Sequence, residues 1–217
     1  MKRLFGIFAG LLLACQSFAQ IPYYAGTVGD GLLYGYTSLK CRPGVNRQET
    51  YSTFQYGIGS HFATGIDLYT GPGSAYWGGL IRYGNKFSQW FNIGGEVMSS
   101  FNLNDNFRFS YVTTGLYMNG ALRRDGSLFW CTNTWWVANR GADDDWSNYE
   151  YVGYNIRLRN GHSLTPMAGA IHSWKFDQDI DVAAGLYYTF GKWTVYAWGN
   201  DVLKSHPRLV LGLEFIL

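Results

Sequence analysis

Residues 208–217 read RLVLGLEFIL. Leu209, Leu211, Leu213, Phe215 and Leu217 alternate with Arg208, Val210, Gly212, Glu214 and Ile216. Strict two-residue alternation puts one set on each face of a β-strand. Chain ends ordinarily fray. An alternation that runs through Leu217 predicts that this end lies inside a sheet.

The same period recurs upstream. Segments rich in Tyr, Phe, Trp, Val, Ile and Thr are broken by Gly, Asn, Asp and Pro, and no helical stripe interrupts them. Twelve strands are predicted: 31–40, 49–59, 62–70, 74–84, 88–102, 106–119, 127–138, 147–158, 162–173, 178–190, 192–199 and 207–217, with ten or fourteen as alternatives. Gly59-Ser60-His61, Gly84-Asn85-Lys86, Arg159-Asn160-Gly161 and Gly191-Lys192 suit tight hairpin turns. Arg123 to Ser127 is a longer turn on the same side. KCRPGVNRQ, TGPGS, LNDN, NRGADDDW, SWKFDQD and GNDVLKSH read as longer polar loops on the other.

Individual strands have two faces. Ile180, Val182, Ala184, Leu186, Tyr188 and Phe190 oppose Asp179, Asp181, Ala183, Gly185, Tyr187 and Thr189. Phe91, Ile93, Val97 and Phe101 oppose Asn92, Gly94, Glu96 and Ser100, and Phe107, Phe109 and Tyr111 oppose Arg108 and Ser110. Nearly every strand has a wide apolar face, while its other face is small, aromatic or charged. In a soluble sandwich the apolar faces would cover each other. A closed sheet with lipid outside and a polar lumen fits this pattern better, because a bilayer offers no partner for a free sheet edge.

Composition agrees. Charged residues are 15% and aromatics 18%, with 28 Gly and 5 Pro; soluble domains carry roughly 25% charge. Residues 1–19 read as a signal peptide: Lys2 and Arg3 precede the apolar run Leu4 to Ala14, and Ser17-Phe18-Ala19 offers a cleavage site before Gln20. That run, about 11 residues, is too short to span a bilayer. Residues 20–217 then form one domain. A competing cut exists, because Leu12-Leu13-Ala14-Cys15 resembles a lipobox with Cys15 as the lipidated residue. The whole chain has 17 Lys+Arg and 15 Asp+Glu, so losing Lys2 and Arg3 leaves it neutral, which argues against nucleic acid as a partner. Cys41 and Cys131 fall on distant strands and are expected as free thiols. The tryptophans are expected in two girdles. Trp90, Trp130 and Trp193 mark one end, Trp77, Trp146, Trp174 and Trp198 the other, and Trp135 and Trp136 lie between.

A leader followed by alternating aromatic strands and a terminal alternating strand resembles the outer-membrane β-barrel proteins of Gram-negative bacteria. The fold class implied is all-β: a transmembrane antiparallel up-and-down β-barrel of about twelve strands. In that class the last strand carries the signal read by the barrel-assembly machinery, here Leu209, Leu211, Leu213, Phe215 and Leu217. The class usually ends on Phe or Trp, and Leu217 departs from that. The resemblance also implies outer-membrane lipids and lipopolysaccharide as surroundings. It names no specific family and carries over no functional residue.

Twelve-stranded members of the class include channels and envelope-lipid hydrolases. A hydrolase needs a serine, a histidine and an orienting group in reach. His172, Ser173 and Asp179, with Asp177 nearby, are the candidates, but neighbouring strand residues point to opposite faces. Asp143, Asp144 and Asp145 form an acidic loop suited to divalent cations bridged to lipopolysaccharide. The four histidines, at 61, 162, 172 and 206, have no metal spacing, and no metal or cofactor is expected. Inward faces carry Asp67, Arg82, Glu96, Arg108, Arg157, Asp179, Asp181, Arg208 and Glu214. Tyr69, Tyr76 and Tyr187 are expected to fill part of the lumen. Charges of both signs predict internal pairing and no strong ion selectivity. The functional expectation is a narrow passive channel for small solutes, or a structural barrel with a plugged lumen. The alternatives are an outer-leaflet lipid hydrolase (phospholipase or lipid A deacylase type) and a surface-binding barrel.

Overall fold

The structure is a computed structural model, which describes residues 25–42, 45–139, 145–173, 177–205 and 207–217. The leader, Cys15, Asp143, Asp144, Trp174 and His206 lie outside the described residues. So do the side chains of Asp145, Asp177 and Asp179.

Twelve antiparallel strands form one closed barrel. They are β1 Leu33–Arg42, β2 Val45–Ile58, β3 Phe62–Gly71, β4 Ser74–Lys86, β5 Asn92–Asn102, β6 Arg108–Ala121, β7 Leu128–Asn139, β8 Asp145–Tyr154, β9 Ser163–Ser173, β10 Asp177–Phe190, β11 Trp193–Asn200 and β12 Arg208–Ile216. A two-residue piece, Ile156–Arg157, continues the path of β8 along β9. Each strand pairs with its sequence neighbours, and β12 closes on β1 from Cys41 opposite Leu209 to Tyr34 opposite Ile216. The seam extends to the last residue: Leu217 N–H donates to Leu33 O at 2.8 Å, and Leu33 N–H donates to Leu217 O at 3.0 Å. The alternation at 208–217 is therefore the alternation of a closing strand.

β2, β3, β4 and β10 are longer than the sequence pattern suggested, β5, β8, β9 and β12 are shorter, and the expected contrast in loop length shrinks. Only residues 43–44 separate β1 from β2, where a nine-residue loop was expected. Val45 to Gln48 add to the ladder instead, with Gln48 opposite Cys41. In contrast, residues 88–91, expected as strand, form a turn. The Ser88 hydroxyl accepts hydrogen bonds from the Trp90 and Phe91 amides, both at 3.1 Å. Asn160 and Gly161, expected as a tight turn, both have positive φ, 65° and 75°. In the Arg123–Ser127 turn, Ser127 donates to Asp125 through its amide and hydroxyl, which hold that carboxyl below its usual range. Both ends of the described chain lie at one rim, here called the terminus end; the opposite rim is the far end.

The outward rows are apolar, with Leu39, Ile66, Ile81, Val97, Leu116, Val152, Leu186, Val195 and Leu211 all exposed. Aromatic rings gather near both rims of this outer face. Trp77–Phe101 at 5.7 Å and Trp136–Trp146 at 6.0 Å lie toward the far end, and Phe62–Tyr83 at 5.2 Å and Trp193–Phe215 at 5.4 Å toward the terminus end. Trp198 corrects the girdle expectation. It is buried inside the barrel against Tyr151 and Tyr187, over Gly185, where any side chain would collide with its ring. Tyr111 is a second correction. Ser100 pairs with Tyr111 while Phe101 pairs with Phe109, so Ser110 is an extra residue. This bulge turns Tyr111 inward, to Tyr76, and leaves Phe109 outside against Phe101.

The outer face sets a test. Ile81 lies near the middle of β4 and is 64% exposed. Ile81→Arg should lower unfolding stability in phospholipid vesicles by about 2–4 kcal/mol, as for a charge at the hydrocarbon midplane. A change below about 0.5 kcal/mol, ordinary for a hydrated surface, would place this face in water.

Candidate functional site

The inward rows enclose the candidate site. A cavity of about 810 Å³ is lined by Lys40, Ser147, Asn200 and Arg208 toward the far end and by Lys192 and Leu217 at the terminus end. One space thus reaches both rims. Its wall is dominated by aromatic rings. Tyr36 lies between Tyr34, at 6.0 Å, and Tyr51, at 5.5 Å. On another arc Tyr187 stacks on Tyr196 at 5.0 Å and meets Trp198 at 5.9 Å. Alternation explains the enrichment: on β1 the even residues Tyr34, Tyr36, Ser38 and Lys40 all line the cavity.

Most inward charges have partners. Arg82 and Glu96 sit opposite each other on β4 and β5 and approach to 3.4 Å, both buried. Arg82 Nε–H also donates to Gly26 O at 3.0 Å, and its guanidinium lies 4.1 Å from the centre of the Tyr117 ring. Asp67 is buried and accepts a hydrogen bond from the Tyr51 hydroxyl at 2.5 Å. At the far end Lys204 meets Asp181 at 2.5 Å and Arg208 meets Asp201 at 3.0 Å. Glu214 is 1% exposed, and neither of its carboxylate oxygens has a hydrogen-bond partner.

The remaining predicted lumen residues sit elsewhere. Arg108 is exposed at the far rim, 3.7 Å from Asp105, and Arg157 is exposed near the terminus end; neither lies on the cavity wall. Tyr187 lines the cavity; Tyr69 and Tyr76, on the inner rows of β3 and β4, contact each other at 6.0 Å inside the barrel but do not line that cavity. The candidates for hydrolysis diverge. His172 pairs with Asn148 and faces outward; Ser173 pairs with the cavity-lining Ser147 on the inner row.

One element of the lumen had no signal in strand periodicity except at its end, where Gly31 and Leu32 were expected to open the first strand, which instead begins at Leu33. Residues 25–32 form a strap inside the wall at the terminus end. Gly31 N–H donates to Gly57 O at 3.1 Å, Gly57 N–H to Leu32 O at 3.0 Å, and Gly59 N–H to the Asp30 carboxylate at 2.7 Å. Ala25 is fully buried. The strap fits because the wall beneath it lacks side chains. A Cβ on Gly57 would lie 1.6 Å from Gly29 O, and one on Gly94 would lie 2.0 Å from Ala25 O. Inward glycines on β2, β4 and β5 were the trace of this contact in the sequence, since Gly84 stands opposite Gly94 on the same floor. Gly26, Thr27, Val28 and Leu32 line the cavity, so the strap narrows it from one side.

No protein-family model matches the sequence, and neither does any curated protein. Solved structures do match in fold. The KdgM porin is similar with a TM-score of 0.65 at 13% identity, over 84% of this chain and 98% of that one. A KdgM porin in complex with disordered oligogalacturonate gives 0.64 at 12% identity, over 84% and 98%. The NanC porin gives 0.59 at 11% identity, over 83% and 98%. The fold is therefore the closed antiparallel barrel of twelve strands found in small outer-membrane porins.

Proposed function

We propose that this chain is an outer-membrane barrel that passes small solutes through its lumen by passive diffusion. The observation that carries the reading is the single cavity lined by residues of both rims, from Lys40 and Arg208 to Lys192 and Leu217. The apolar outer rows with aromatic rings near each rim support a membrane location. A leader removed at Ala19 and insertion by the barrel-assembly machinery complete this reading. The fold likeness to porins is consistent with it. A lipid hydrolase is less well supported, because His172 and Ser173 face opposite sides of the wall.

A narrow lumen lined by rings and partnered charges passes solutes of limited cross-section. The refolded chain in a planar bilayer should give discrete, reproducible conductance steps. A barrel that is verifiably folded yet electrically silent would overturn the channel. The strap supplies a graded test. A mature chain that starts at Leu32 lacks Gly26, Asp30 and Gly31, which hydrogen-bond Arg82, Gly59 and Gly57. Its unitary conductance should exceed that of the full mature chain. Equal conductance would mean that the strap lies clear of the conduction path.

A further inference from the structure

Among the described residues, Glu214 is the one inward carboxylate that combines near-complete burial with two unpartnered oxygens and a place on the cavity wall. A buried carboxylate without a partner is costly, and the cost is relieved by taking up a proton or a cation. Three inward cations are engaged elsewhere: Arg82 by Glu96, Arg208 by Asp201, and Lys204 by Asp181. Lys40 stands opposite Glu49 on the next strand. Lys192 belongs to the turn at the rim, and it forms no ion pair with Glu214.

The groups around Glu214 are aromatic. Tyr36 is its direct cross-strand neighbour on β1. Tyr34 is two residues from Tyr36 on the same inner row of β1, and Tyr196 stands opposite Gly212 on the inner row of β11. The Tyr196 ring lies over Gly212, where a Cβ would come within 2.0 Å of it, two residues from Glu214 on the same inner row.

The barrel already contains this arrangement in a filled form. The Arg82 guanidinium is held by a carboxylate, Glu96, and by the face of a tyrosine, Tyr117, at 4.1 Å. Glu214 with Tyr34, Tyr36 and Tyr196 repeats the carboxylate and the rings without the cation. Ring faces attract organic cations strongly once water is excluded. From this geometry we infer that the lumen holds a binding site for a small organic cation, an ammonium group on a compact body, with Glu214 as counter-ion and the tyrosines as its walls. The inference rests on the lumen being open to solutes and names their class. Glu96 is the other carboxylate on the cavity wall and is held by Arg82, so among the described lining carboxylates Glu214 is the one left for a cation, while Lys40 and Arg208 toward the far end and Lys192 at the terminus end carry positive charge nearer the rims.

Choline is the probe, and acetate of equal concentration is the control. Binding is read on the folded barrel in detergent from its intrinsic fluorescence, and conduction is read in a planar bilayer with choline on one side. Saturable choline binding is expected, with no response to acetate. Glu214→Gln keeps the shape of the side chain and should weaken choline binding about tenfold or more, as loss of a buried counter-ion implies. The folded state of the variant is checked by its heat-modifiable migration on gels. Tyr196→Ala removes one ring wall and should also weaken choline binding several-fold.

The two readings fail separately. Conductance without choline binding, or binding unchanged in Glu214→Gln, overturns the cation site and leaves the channel standing. Choline binding that depends on Glu214, in a barrel that never conducts, upholds the site and overturns the channel.

Discussion

Everything in this structure depends on the seam between β1 and β12. An open sheet of this length would leave two rows of amide and carbonyl groups without partners, which hydrocarbon cannot supply. The register from Cys41–Leu209 to Tyr34–Ile216, with the reciprocal bonds of Leu33 and Leu217, removes both edges at once. Closure also divides all side chains into two populations. Leu209, Leu211 and Leu213 must face outward if Val210, Gly212 and Glu214 face inward, and each neighbouring strand inherits that choice through its register.

The inside of so small a barrel is crowded rather than empty. Rings from Tyr34 to Trp198 take up much of the cross-section, and the strap takes more. Ionised groups in this setting are held by specific neighbours. Arg82 illustrates how many are needed: a carboxylate, a backbone carbonyl of the strap and an aromatic face all converge on one guanidinium. That convergence ties the strap to the wall and ties β4 to β5, so the segment before β1 is part of the packed interior.

Much of the wall was legible from periodicity, because a period of two is a direct readout of a half-apolar strand. The closing strand, the tight turns at Gly59 and Gly191, and the inward placement of Glu96 and Glu214 follow from alternation and turn chemistry alone. Three features did not. Tyr111 and Phe109 share a parity in sequence, and only the extra Ser110 separates their faces. Trp198 reads as an interfacial tryptophan, yet its register opposite Gly185 decides that it points inward. The strap has no period because it is not itself a strand and meets the β1–β2 ladder only at Gly31 and Leu32. Its contacts are recorded in the glycines of other strands, which composition counts but does not locate. Of the candidate site, the acidic residues could be found from the sequence. Their pairing could not, since Arg82 and Glu96 meet only through a cross-strand register.

The bulge at Ser110 shows how a closed wall tolerates a change in chain length. In an open sheet an added residue can slide the rest of a strand outward to an edge. Here there is no edge, and a slip by one residue would exchange lumen for lipid along the whole strand. The odd residue is instead absorbed where β5 and β6 approach the far rim, and from Tyr111 onward the inner row keeps its phase through Thr113 and Tyr117. Parity is thus a property of the ring as a whole. Such a molecule gains or loses residues one at a time only near its mouths, while the belt between them changes in pairs.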